Sequence, residues 1–190
     1  MKSLFTVVLG SLFLTSCGLQ SIPQANNAVE GAWAEVQNQY KRRSDLIPNL
    51  VETVKGYASH EKETLDAVVS ARAKATAISV DPTKLTPEKL KEYQEAQTGI
   101  SQALGRLMVV SEKYPDLKAN QNFQALQVQL EGTENRIAIA RRRYIEEVQN
   151  FNNLVTVFPT SLTNSIIHKF DKKPQFQASE TEQATPQVKF

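Results

Sequence analysis

The sequence predicts an all-α fold: an antiparallel, up-and-down four-helix bundle with long helices. Three observations lead there. Apolar residues recur at alternating steps of four and three in several stretches, as they do on one face of a helix. No stretch alternates with period two for long, so strand signals are missing. Gly and Pro are few, seven and eight in 190 residues, which favours long regular elements over a loop-rich fold. Long helices joined by short turns pack as antiparallel neighbours.

The first helix carries Val29, Trp33, Val36, Tyr40, Arg43, Ile47, Leu50, Val54 and Tyr57 on one seam. That is a heptad pattern with one intruder, Arg43. Pro48 follows a turn later. If Pro48 began a new helix, Ile47 would be its cap, and Ile caps poorly. The seam also keeps phase from Ile47 to Leu50. A continuous helix kinked at Pro48 is therefore expected, with Ser44 losing its backbone donor at a cost of about 3 kcal/mol. Gly56 offers a stop and Ser59 an N-cap, followed by Glu61 and Glu63 in a first turn. A second helix then runs to about Ile78 with Leu65, Val68, Val69 and several Ala on its packing face. The alternative keeps residues 26–79 as one bent helix and leaves three long helices.

"SVDPTKLTPEK" (79–89) reads as a loop, and Thr86-Pro87-Glu88 starts the third helix with Thr as cap and Pro at the first position. Its seam is Leu90, Tyr93, Gln97, Ile100, Leu104 and Leu107. "YPDLKAN" (114–120) is the next turn. The fourth helix carries Phe123, Leu126, Leu130, Thr133, Ile137, Ala140, Tyr144, Glu147, Phe151, Leu154 and Phe158, and ends at Pro159.

The N-terminus reads as an address. Met1-Lys2 precedes an apolar run over residues 4–14, too short to span a bilayer comfortably. "LTSC" (14–17) resembles the lipobox of bacterial lipoproteins, where Cys receives diacylglycerol; the bland alternative is a signal peptide with a chance Cys. The domain plan is then a signal peptide at 1–16, lipidated Cys17 with a tether through residue 24, a bundle at 25–158, a short amphipathic segment at 159–176 and a disordered tail at 177–190. Cys17 is the single cysteine, so no internal disulfide forms. Acyl chains such as palmitate, two or three together, make a stable anchor. A fully extended tether over 18–24 reaches about 25 Å, which keeps the bundle near the lipid. In Gram-negative lipoproteins Asp after the Cys favours the inner membrane; Gly18 leans toward the outer one.

Arg43 on a buried seam needs a partner. In an up-down bundle the first helix ends near residue 55, where the fourth begins near 120. Arg43 lies about 18 Å from that end, and the same distance along the fourth helix falls near residue 132. The register points to an Arg43–Glu134 pair, with Arg42 or Asn135 nearby. It also sets Trp33 level with Arg141–Arg143, within reach of a cation–π contact. Arg42, Arg43, Asp45, Glu134 and Arg141 are the candidate polar network. The alternative is that Arg43 snorkels and Lys41-Arg42-Arg43 is a wetted face.

"QYKRRSDLIPNLVETVKGYASHE" (39–61) and "ENRIAIARRRYIEEVQNFN" (134–152), with "FP" at 158–159, resemble the two signature blocks of the LemA family. The resemblance spans about residues 26–176. It implies an antiparallel four-helix bundle associated with a membrane, and no established biochemical activity. Many members carry a transmembrane helix; this chain departs from them in having a lipoprotein-type start.

Chemistry is sparse. "HEKET" (60–64) begins like a zinc-protease helix, but Thr64 stands where a second His is required. No phosphate loop or nucleophile elbow occurs, so no catalytic residue, metal or cofactor is expected. Net charge is +2 and aromatics do not interleave with basic patches, so no nucleic-acid partner is expected. In residues 160–173, Leu162, Ile166, Ile167 and Phe170 share a helical face beside His168, Lys169, Lys172 and Lys173. That face either caps the open end of the bundle or lies on the bilayer. The expected function is a non-catalytic, lipid-anchored scaffold or adaptor, meeting membrane lipid through acylated Cys17 and an envelope protein through its faces. The rival is a ligand-sensing bundle with a polar pocket between helices at Arg43 and Glu134.

Overall fold

The computed structural model describes the backbone of residues 2–176 and the side chains of residues 19–176. The chain is all-helical over its described residues. Four long helices account for most of it: α1 (Lys2–Lys55), α2 (Lys62–Ala77), α3 (Pro87–Ser111) and α5 (Gln121–Thr156). Between α3 and α5 lies the one-turn helix α4 (Pro115–Ala119), and α6 (Thr160–Thr163) runs into a π-helical turn at Asn164–His168. The lipidation expected at Cys17 and the disordered tail expected at 177–190 lie outside the residues whose side chains are described.

Helices α1 and α2 are separate. Helix α1 ends at Lys55, and a turn closed by Tyr57 and Ala58 donating to Val54 O leads into α2. Ser59 does not cap α2; Glu61 takes that place without a side-chain bond. The α3 start is as the sequence indicates, with Thr86 Oγ1 accepting from Lys89 N and Pro87 in the first turn. Asn120 caps α5 by accepting from Phe123 N.

Facing pairs fix the directions. Tyr57 meets Asn120, Arg43 meets Glu134 and Trp33 meets Tyr144, so α1 and α5 run antiparallel along most of their length. Arg43 also meets Gln97 and Ser101, and Trp33 meets Tyr93, so α1 and α3 run in the same direction. The helices therefore alternate up, down, up, down.

The core has two halves. The upper half is mostly aliphatic and joins Ile47, Leu50, Val54, Leu65, Ile100 and Leu107 to Phe123 and Leu130. The lower half is aromatic, built from Trp33, Tyr40, Tyr93, Tyr144, Phe151 and Phe176. Ring pairs at 5.3–6.0 Å tie Trp33 to Tyr144, Tyr93 and Phe176. Such pairs contribute about 0.5–1.5 kcal/mol each beyond the area they bury.

Four expectations need correction. The tether at 18–24 is helical, because Ile22 and Ala25 continue the seam of Val29 and are buried. At 1.5 Å per residue those residues rise about 10 Å, well short of an extended tether. On α5 the buried set after Tyr144 is Val148, Phe151 and Val155, not Glu147, Leu154 and Phe158. A straight helix of 3.6 residues per turn drifts off a strict heptad, and the seam moves by one residue. Val69 on α2 and Tyr57 after α1 are exposed, since each sits at the edge of its stripe. Finally, residues 160–173 are not one amphipathic helix: the chain turns at Lys169, with φ of 55°, and continues without regular secondary structure to Phe176.

Helix α2 is short, with 16 residues against 36 in α5, or about 24 Å against about 54 Å. It covers only the upper half of the bundle. In the lower half its place is taken by the 78–86 loop, which includes the 3-10 turn Pro82–Lys84, and by an irregular strap at 169–176.

Candidate functional site

Arg43 sits at the boundary between the core halves and is 1% exposed. A guanidinium there is tolerable only if its donors find acceptors. Its Nη1 donates to Glu134 Oε1 at 2.7 Å and Ser101 Oγ at 2.8 Å. Its Nη2 donates to Gln97 Oε1 at 2.8 Å and Gln97 O at 3.0 Å. Only Nε lacks a protein acceptor. Arg43 also lies 5.1 Å from the Tyr40 ring centre. One side chain on α1 thus bonds to α3 and α5 at once. Glu134 is 44% exposed on its side chain, so water reaches the far end of the pair.

The other residues of the candidate network are not drawn in. Arg42 and Asp45 are exposed, and Asp45 pairs with Lys41 one turn away at 3.1 Å. Arg141 lies over the Phe176 ring at 4.8 Å; the residue facing Trp33 is Tyr144. Arg141 meets Trp33 only through Phe176, which stacks on the indole.

Pro48 lies inside continuous α1 and is exposed. Having no N–H, it leaves the carbonyl of Ser44 without its helical donor. Ser44 is buried, so the loss would be costly. Arg72 on α2 supplies the replacement, donating from Nε to Ser44 O at 2.9 Å. The sequence shows the orphaned carbonyl but not its donor, since nothing local marks Arg72.

A cleft of about 320 Å³ opens between α3 and α5 beside the Arg43 layer, lined by Ser101, Leu104, Gly105, Met108, Leu130 and Glu134 among others. Its walls are mainly apolar. A larger cleft of about 750 Å³ lies in the lower half, bounded by α1, the 82–86 turn, the start of α3 and the strap. The strap is clamped twice by asparagine side chains. Asn164 accepts from Phe170 N and donates to Phe170 O, both at 3.0 Å. Asn152 does the same for Lys173, at 2.8 and 2.9 Å. Tyr144 Oη donates to Pro174 O at 3.0 Å. Burial holds the Tyr144 and Tyr93 hydroxyls well above the usual tyrosine range; for Tyr93 the Tyr40 ring adds to this and Arg43 opposes it. Burial pushes the Lys173 ammonium down, with Glu30 pulling the other way. The sequence signals none of these clamps beyond the two aromatics of "FDKKPQF".

The candidate membrane-facing residues separate. Phe170 packs into the lower core, 5.8 Å from Phe151. Leu162, Ile166 and Ile167 stay more than half exposed, as do Val157 and Phe158, the last at 78%. With Leu19 they form an apolar collar at the lower end, where α6 packs on α1. Among the described residues no group of three or more His, Cys, Asp or Glu could hold a metal ion. Among them, too, no helix is long and apolar enough to cross a membrane.

Comparison with known proteins places this architecture. Protein LemA of Metamycoplasma hominis is 28% identical over 181 residues, covering 94% of this chain and 78% of that protein. Magnetosome protein MamQ 1 of Paramagnetospirillum magneticum is 32% identical over 96 residues, 49% of this chain and 35% of its own length. Magnetosome protein MamQ of Magnetospirillum gryphiswaldense is 30% identical over 98 residues, with the same coverage of both chains. The LemA family model matches residues 32–190. A match over most of the chain, and a relative aligned along nearly all of it, establish that this chain belongs to the LemA family.

Proposed function

We propose that this protein is a non-catalytic scaffold or adaptor held at a membrane of the cell envelope by an acylated Cys17. The observation that carries this reading is the apolar collar of Leu19, Val157, Phe158, Leu162, Ile166 and Ile167. It lies at the end of the bundle from which α1 continues toward the apolar run at residues 4–14. Six of the eleven large apolar side chains exposed among the described residues fall at this end, the kind of concentration that marks a contact surface. Set against lipid they bury their area, and the anchor and the collar act as two signals on one surface. The upper half then projects away from the bilayer, free to meet an envelope protein. Gly18 after Cys17 supports the outer membrane in a Gram-negative cell.

The rival reading, a ligand pocket at Arg43 and Glu134, loses support because Gln97, Ser101 and Glu134 already accept from both terminal nitrogens of Arg43. The same bonds suit a layer that sets helix register. In-cell crosslinking with mass spectrometry, run beside Cys17→Ser, tests the adaptor. One dominant partner that is lost with Cys17→Ser supports it. The absence of any reproducible partner removes it.

A further inference from the structure

The lower cleft has the makings of a binding site that the scaffold role does not use. Its back wall is apolar: Val29, Trp33, Leu85, Tyr144 and Phe170. Its rim is basic, with Lys84, Lys89, Lys169, Lys172 and Lys173 against Glu30 and Asp171. None of these lysines joins an ion pair among the described residues. Glu30 is engaged by Asn26 Nδ2 at 2.8 Å. The whole chain carries only +2, so this local excess is concentrated.

Two further features distinguish the cleft from a wetted surface. Trp33 is fully buried, yet its indole N–H has no acceptor in the protein. Buried polar groups are almost always bonded, so the wall behind the cleft is short of one acceptor. The strap side is also built at a cost. Lys169 adopts a left-handed backbone, which strains a non-glycine residue. The Asn164 and Asn152 clamps over-determine it and hold the lysines beside the opening.

We infer that this cleft binds a phosphate group carried on an apolar body, with the phosphate among Lys84, Lys89 and Lys172 and the apolar part against the partly exposed Leu85 and Phe170. Lysines act as mobile point charges and suit a phosphate with no fixed fork geometry. A cavity of this size takes a small amphiphile, and the half-apolar wall gives its body a place that free phosphate would leave unused. The lower rim lies about 10 Å above Leu19, from Asn26 at 1.5 Å per residue. A lipid headgroup at the collar and a diffusible phosphate amphiphile both present this chemistry. The site stands without the membrane anchoring proposed above.

Trp33 is the single tryptophan, so its emission reports on the cleft directly. The 190-residue chain in neutral detergent would be titrated with dihexanoyl phosphatidic acid, dihexanoyl phosphatidylcholine, hexanol and inorganic phosphate. A saturable change in emission with phosphatidic acid, weakened about ten-fold or more in Lys84→Ala/Lys172→Ala, is expected. Both lysines are exposed, so that variant keeps its fold. A comparable affinity for vesicle-borne phosphatidic acid assigns the site to bilayer headgroups; binding of the short-chain form alone assigns it to a diffusible ligand. Inorganic phosphate binding as tightly as phosphatidic acid overturns the apolar half of the proposal. An equal response to hexanol, or to phosphatidic acid in the double lysine variant, overturns the phosphate half. No saturable change with any probe overturns both.

Discussion

At the scale of single residues, Arg43 is where sequence and structure meet most closely. A charged residue in phase with a buried seam implies a partner, and antiparallel register alone points at Glu134. The structure has that pair at 2.7 Å. What the sequence did not disclose is that Gln97 and Ser101 share the load, because their role depends on α3 standing diagonally across from α1. Removing the guanidinium strands several buried acceptors, so Arg43→Ala is expected to cost about 3–5 kcal/mol in urea unfolding. Glu134→Gln keeps an acceptor for Nη1 but removes the counter-charge of a buried guanidinium, and is expected to cost less, about 1–3 kcal/mol. Equal costs would show that Arg43 is not held by α3. A second prediction concerns pH. Tyr93 and Tyr144 stay protonated in the folded protein where the unfolded chain ionises, near pH 10 by the usual tyrosine value. The unfolded state then binds fewer protons, so stability is full below about pH 10 and falls as pH rises above it. The urea midpoint followed from about pH 8 to 11 checks this, and Tyr144→Phe should flatten the decline.

At the scale of elements, helix positions were legible and their edges less so. Thr86-Pro87 marks the α3 start because the cap is local chemistry. The drift of the α5 seam to Val148 and Val155 was not legible from a heptad template, since Leu154 and Phe158 keep the strict phase apolar beyond Glu147. Ile22 and Ala25 were in phase with Val29, but Pro23 and the short polar run around them read as a tether. The Pro48 site yields a sharper test. If Arg72 replaces the donor that Pro48 lacks, Arg72→Ala should destabilise the protein by about 1–3 kcal/mol. In Pro48→Ala the helix supplies its own N–H to Ser44, and Arg72→Ala in that background should cost markedly less. A double-mutant cycle by urea unfolding measures the difference. Additive costs would mean that Arg72 acts elsewhere.

At the scale of the whole molecule, the decisive feature is that α2 is too short to wall the lower half. The loop after α2 and the 169–176 strap fill in, and the larger cleft opens between them. The sequence gives little warning of this. Phe170 reads as part of an amphipathic face with Ile166 and Ile167, and only the turn at Lys169 sends it inward. Leu162, Ile166 and Ile167 stay outside, at the same end as Leu19, Val157 and Phe158. The central claim is that this collar end faces lipid. The most direct test is photo-crosslinking of the membrane-bound protein to a phospholipid with a diazirine in its acyl chain, with adducts mapped by mass spectrometry. Adducts concentrated at Leu19 and within residues 157–167, and scarce at the exposed Val109 and Val128 of the upper half, are the predicted result. Adducts spread evenly over both ends, or missing from the collar, would contradict it.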